Sequence, residues 1–350
     1  MNKAYMTIRV PALPVSVQIH RRTAGIIMSL MAAVAVLALV SAGLGDYRIM
    51  PMDVLRAIRG IGTEEQVLVV QTLRLPRILI SMLAGAGLAA AGTILQCIVR
   101  NPLAAPDIVG ITGGASVGAV FFITQMPGLY DIRLLPVTAM AGALIAALLV
   151  YVLAWKRGVS TVRLVLVGIG IAALLSSLVS MLLIMAPSSY SASSAYIWLT
   201  GTVYGANWDN VRTLLPWMVP LLILAWFAGG RALNIQQLGD DIAAGAGSAV
   251  QRQRLWMLLL AVGLAGSAVS MVGTIGFVGL IAPHMARRLV GASAGGLIPA
   301  SALIGACILM GADLVGRTMF LPHDVPAGVF TAAIGAPFFI YLLFRTRNAR

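Results

Sequence analysis

The sequence predicts an all-α membrane protein of ten transmembrane helices, and three observations lead to that fold class. Of the 350 residues, 60% are hydrophobic and only 10% are charged, with a mean hydropathy of +0.96; a soluble domain carries about 25% charged residues. The apolar residues gather into runs of about 20, the number needed to cross a ~30 Å hydrocarbon core as a helix. Each run is continuous, without the period-two alternation of a barrel strand, and in lipid only helices and closed barrels satisfy every backbone group.

In chain order the runs fall near 24–44, 77–98, 106–126, 134–155, 163–186, 211–229, 255–273, 275–291, 297–316 and 326–344. The first follows Lys3, Arg9, Arg21 and Arg22, the layout of a signal peptide. Its length exceeds the 7–15 residues of a signal h-region and many spans follow, so it reads as an uncleaved first span. The chain divides into an N-terminal segment (1–23), a single ten-span domain (24–345) and a short tail (346–350). With the N-terminus inside, the 24 Lys and Arg divide sixteen on the inner side to eight outside. The positive-inside rule then places both termini in the cytoplasm of a cell's inner membrane.

Several functions are disfavoured by what the chain lacks. The net charge of +13 comes from residues that punctuate apolar segments and form no continuous basic face, so nucleic acid is not the expected partner. Only Lys3 and Lys156 are lysines, and neither lies in a G-x-x-x-x-G-K-[ST] loop, so ATP is not expected to bind this chain. Cys97 and Cys307 sit in apolar runs with no CxxC and read as small apolar residues. His284 follows Pro283 with no H-E-x-x-H, and His20 and His323 are isolated, so no metal site is expected. The stretch Ser188–Ser194 reads as an outer loop ahead of an amphipathic segment, without a nucleophile signature.

An internal repeat points to transport. A shift of 181 residues lays Leu83–Ile94 on Leu264–Ile275 with six of twelve positions identical, and brings Pro102 onto Pro283 and Ala105 onto Ala286. The second and seventh spans are five steps apart, so spans 2–5 and 7–10 would be inverted copies, the arrangement that supports alternating access.

Four polar or small-residue patterns remain. Gly110, Gly114 and Gly118 recur every fourth residue in the third span and read as helix-packing positions. Asp313 lies four residues before Arg317, on one helix face, and reads as a local ion pair orienting that arginine. Arg74 and Arg77 flank the proline opening the second span, where cations oppose the helix macrodipole and run against the topology rule. The longest inner loop, 234–254, contains Leu238-Gly239-Asp240-Asp241, a turn feeding a short helix with an acidic start and with Arg252 and Arg254 at its basic end.

Arg74-Leu75-Pro76-Arg77, Gly85–Gln96, Arg100–Ala104, Pro106-Asp107, Gly110, Leu238-Gly239-Asp240, Gly276–His284, Ala312-Asp313-Leu314 and Val325–Val329 occur in the order of the FecCD/vitamin-B12-permease family of ABC importers. The chain resembles that family from about residue 70 to 345, most closely the ferric-siderophore permeases of the ferric enterobactin type. The resemblance implies a type II importer permease fold working as a homo- or heterodimer with a second permease. Two cytoplasmic ATPase subunits would bind the ATP and magnesium, and a periplasmic or lipid-anchored binding protein would deliver the chelate. This chain would hold no cofactor and perform no catalysis. Carried over by position, Arg74, Arg77 and Arg317 would receive acidic residues of the binding protein. Leu238, Gly239, Asp240, Asp241, Ala243, Gly247 and Arg252 would form the segment that docks on the ATPase. Asn101, Leu103, Thr161 and Val162 would lie at the cytoplasmic gate. Two positions depart from the pattern: Ala246 stands where leucine is usual, and Val162 where the B12 relative has a small hydroxyl residue.

Two rivals stay in view. The same fold could import cobalamin or haem. A secondary transporter driven by protons or sodium is the rival of another class, and the scarcity of buried carboxylates and histidines argues against it.

Overall fold

The fold was taken from a computed structural model, which describes residues 5–10, 15–126, 131–156, 158–320 and 322–347. Lys3 and the end of the tail, 348–350, lie outside the described residues.

Each expected span coincides with a helix: α1 (Arg21–Gly43), α4 (Leu75–Val99), α5 (Ile111–Gln125), α6 (Leu135–Ala154), α7 (Thr161–Ile184), α9 (Trp208–Leu224), α12 (Val250–Val272), α13 (Val278–Val290), α14 (Ala294–Thr318) and α15 (Ala327–Arg347). Between them lie shorter elements: α2 (Pro51–Ile58), α3 (Glu64–Val67), α8 (Ser189–Thr200), α10 (Gly230–Gln236) and α11 (Asp240–Gly245). A π-helical stretch, Leu68–Arg74, joins α3 to α4, and a second, Ala225–Gly229, joins α9 to α10. Among the described residues seven helical stretches are long and apolar enough to cross a bilayer by themselves. The 13-residue α13 is not, being about 20 Å long at 1.5 Å per residue.

Three local features differ from the sequence reading. A β-hairpin, β1 (Tyr5–Val10) paired antiparallel with β2 (Val15–His20), precedes α1 and adds a sheet to the otherwise helical chain. Val15-Ser16-Val17-Gln18-Ile19-His20 alternates with period two, which is the strand pattern. The serine-rich stretch is not a loop. Ser188 caps α8 by accepting from the Ser191 amide at 3.2 Å, and the following serines form its first turns. The repeat also parts in register: Gly92 is inside α4, whereas Gly273 ends α12 at φ +72°.

The core is built around α4. Residues 83–98 of α4 are buried without exception, and many are Ala or Gly. Small side chains let neighbouring backbones approach closely. A Cβ on either Gly85 or Gly305 would overlap the other's carbonyl, which seats α4 against α14, and Gly92 meets the Gly279 backbone of α13 in the same way. Gly114 and Gly118 of α5 lie directly on Gly142 and Thr138 of α6. Gly110 differs: a Cβ there would make only ordinary contacts, and its φ of +74° at the start of α5 is what favours glycine. By contrast α1, α6, α7 and α9 leave most of their apolar surface outside the chain's own core, as lipid- or partner-facing helices do.

Between α12 and α13 the chain has no regular secondary structure from Gly273 to Gly276, then turns at Phe277, a non-glycine residue at φ +65°. Broken helices occur at membrane depth only where protein or a cavity meets the exposed backbone. Here the end of α8 and the loop after it supply partners: Thr202 N–H donates to the Val272 carbonyl at 2.8 Å, and the Thr274 hydroxyl donates to the Leu199 carbonyl.

Candidate functional site

Two polar clusters stand at opposite ends of α4, separated by its 25 residues, about 37 Å.

The first gathers Arg74, Arg77 and Arg317, which the sequence leaves far apart. Arg77, on the first turn of α4, has its side chain 13% exposed and grips two carboxylates. Its Nε and Nη2 donate to Asp313 of α14 at 2.9 and 2.8 Å, while Nη1 and Nη2 donate to Asp324 at 2.6 and 2.8 Å. The Tyr204 ring lies over the same guanidinium at 5.8 Å. The expected local pair is therefore secondary: Arg317 Nε stands 3.8 Å from Asp313, whose main partner is Arg77.

Arg74 and Arg317 reach the far end of α1. Arg74 donates to the carbonyls of Ala42 (2.6 Å) and Tyr47 (2.5 Å). Arg317 donates to the carbonyl of Leu44 (2.7 Å), to the Ser41 hydroxyl (2.8 Å) and to the Ser41 carbonyl. The last four carbonyls of a helix lack intrahelical partners and form its negative end. Arg74 opposes the dipole of α4 but, with Arg317, complements that of α1, which accounts for a placement the sequence left unexplained. Asp324 was missed; it follows His323 in a loop, and no local pattern marks it.

The second cluster surrounds α11. Gly239, at φ +111°, turns the chain into this helix, and Asp240 and Asp241 open it as read from sequence. The basic end does not fall where expected: α11 stops at Gly245, and Arg252 and Arg254 lie in the first turns of α12. Arg252 is exposed, while Arg254 is 2% exposed and donates from Nη2 to both Asp240 oxygens at 2.9 and 2.8 Å. Arg100, the left-handed cap of α4 at φ +54°, reaches the same carboxylate at 3.2 Å. Ala243 is fully buried beneath α11, whereas Leu238 (61% exposed) and Ile242 (60%) face outward, and Asp241 and Gly247 are exposed beside them.

The four positions expected at the gate lie next to this cluster, two in the turn after α4 and two at the start of α7. Asn101 accepts from the Leu103 amide at 2.9 Å, closing a tight turn after α4. Thr161 and Val162 open α7 behind its Ser160 cap, with Val162 69% exposed. Between α5, α7 and the broken segment lies a cavity of about 360 Å³, lined by Thr112, Ser116, Ser176, Thr274 and Gly276 with Asp107. Among the described residues no group of three or more His, Cys, Asp or Glu is placed to hold a metal.

A bundle with a broken helix, small-residue packing and polar clusters at both ends is the build of a transporter half. The model of the FecCD transport family matches residues 30–345. The chain belongs to the FecCD transport family. A siderophore transport system permease of Bacillus subtilis (strain 168), YfhA, is 52% identical over 329 residues, 93% of this chain and 95% of that protein. The achromobactin transport system permease CbrC of Dickeya dadantii (strain 3937) is 47% identical over 332 residues, 95% of this chain and 94% of its own. A solved metal-chelate type ABC transporter in an inward-facing conformation superposes with a TM-score of 0.80 at 30% identity, covering 92% of this chain and 99% of that one. This FecCD member is a multi-pass permease subunit of an ATP-binding-cassette importer, with the type II importer fold.

Proposed function

We propose that this permease moves a ferric siderophore into the cytoplasm, paired with a second copy or a second permease and driven by ATP that separate subunits hydrolyse. The observation that supports it best is the pair of polar clusters joined by the buried α4, one for each partner face. In this reading both termini are cytoplasmic, and the chain is a conduit with no catalytic residue or cofactor of its own. The outward Leu238 and Ile242 of the α11 segment meet the ATPase, together with Gly239, Asp241 and Gly247. Arg74, Arg77 and Arg317 meet acidic side chains of a substrate-binding protein, as the family resemblance implies. Asn101, Leu103, Thr161 and Val162 narrow the inner exit. Ferric siderophore is preferred to cobalamin or haem because a siderophore transport system is what the name of YfhA describes.

Uptake by cells lacking this gene, with and without it restored, tests the proposal. The panel comprises labelled catecholate and hydroxamate ferric siderophores, ferric citrate, cobalamin and haem. Restoration of one ferric siderophore, lost on ATP depletion, is the expected result. Restoration of cobalamin or haem alone overturns the substrate, and uptake that survives ATP depletion but collapses with the proton gradient overturns the energy source.

A further inference from the structure

We propose that Asp240, Arg254 and Gln251 are positioning residues that turn displacement of α11 into movement of both gate loops. The inference rests on reading α11 as the ATPase-docking helix. Asp240 is the first residue of α11, and its carboxylate is shared by two arginines. Arg254 holds it through both oxygens at 2.9 and 2.8 Å, and Arg100 reaches it at 3.2 Å.

Each arginine continues into a gate loop. Arg100 immediately precedes Asn101, and its left-handed backbone sets the direction of the Asn101–Leu103 turn. The other guanidinium arm of Arg254, Nη1, donates to the Val159 carbonyl, two residues before Thr161. Gln251, one turn earlier on α12, accepts from the Val159 amide at 3.0 Å. Both polar groups of Val159 are thus gripped by the first turns of α12, and α12 is tied to α11 through Asp240.

The link is stiff for a physical reason. Arg254 is 2% exposed, so its guanidinium has little access to water that could replace the half-exposed Asp240 carboxylate if the two parted. At six residues α11 is too short to hold its own shape, so these contacts and the buried Ala243 fix where it stands. A force on its exposed Leu238 and Ile242 therefore moves Asp240, and with it the loops before Thr161 and after Arg100.

The test uses the full complex with its ATPase in lipid nanodiscs, with spin labels at Asn101→Cys and Thr161→Cys in a background of Cys97→Ser and Cys307→Ser. The label-to-label distance is measured by pulsed EPR before and after trapping with ATP and vanadate. The otherwise unaltered chain is expected to switch between two distances. In Asp240→Asn the switching population is expected to fall about tenfold, the size of a coupling element's contribution. Gln251→Leu, which leaves the Asp240–Arg254 ion pair intact, is expected to move the same way by a smaller factor, and decides the matter if Asp240→Asn fails to fold. Unchanged switching in both variants overturns the link. Loss of ATPase association in Asp240→Asn also overturns it, because the carboxylate would then be part of the docking surface. Leu238→Ser with Ile242→Ser separately tests the reading beneath: ATPase that still co-purifies with that double variant removes the docking assignment itself.

Discussion

Replacing Arg77 by methionine should destabilise the protein more than any other single change in the arginine cluster at the start of α4. The Asp313 side chain is 3% exposed and receives both Nε and Nη2 of Arg77, while Arg317 Nε, at 3.8 Å, is beyond hydrogen-bond range. Methionine fills a similar volume but leaves that carboxylate buried without its donor. Removing one partner of a buried pair costs about 3–5 kcal/mol, most of it the desolvation of the charge left behind. Asp324, 24% exposed, is freer to turn to water and adds less. Adding Asp313→Asn removes the orphaned charge, so the double variant should recover much of the loss, with a coupling energy of about 1–3 kcal/mol between the two sites. The measurement is the fraction of detergent-solubilised protein that stays monodisperse after heating, compared across the two single variants and the double. A single Arg77→Met variant as heat-resistant as the parent, or a double variant weaker than Arg77→Met, would refute the assignment of Arg77 as the counter-ion that lets Asp313 be buried.

Two further outcomes follow from the same geometry. Gly92→Ala should lower the heating midpoint because its Cβ would overlap the Gly279 carbonyl, at a cost of about 1–3 kcal/mol, whereas Gly311→Ala, with open space around it inside α14, should be neutral or slightly stabilising; equal effects would show that the α4–α13 approach is not tight. Asp324→Asn frees one arm of Arg77, so affinity for the substrate-binding protein should rise and become more sensitive to salt; unchanged affinity by surface plasmon resonance would detach the arginine cluster from docking.

The spans were legible because burial in lipid writes itself as unbroken hydrophobicity, and each run became a helix within a few residues. What that signal hid was weaker and local. Val15–His20 alternates with period two, but six residues beside a dominant apolar run are easily read as its charged preface. In the cluster at the start of α4, the i,i+4 rule correctly put Asp313 and Arg317 on one face. It could not know that α14 lies against α4, which brings in Arg77 from 236 residues away. Arg252 and Arg254 look equivalent in sequence. Two residues on a helix are about 200° apart, so only one of them can face inward, and only packing decides which. Gly110 shares the spacing of Gly114 and Gly118 but is needed for its backbone angle, a distinction that spacing cannot express.

The position of α4 gives these observations a mechanical sense. Its central residues are buried on every side by α9, α12, α13 and α14, with glycine contacts that leave no space for one helix to slide past another without backbone overlap. Its interior has no proline after Pro76, so its hydrogen-bond ladder runs unbroken to Val99. Such an element transmits displacement better than it absorbs it. The place where it can yield is the π-helical hinge Leu68–Arg74 just before it, an irregular geometry that recurs at functional sites. Arg74 and Arg77 sit where this hinge meets the strut and fasten it to α1 and α14, while Arg100 fastens the other end to α11. A partner that moves either end therefore acts on α4 as a rigid body, and the charge pairs at its two ends determine which neighbouring elements move with it.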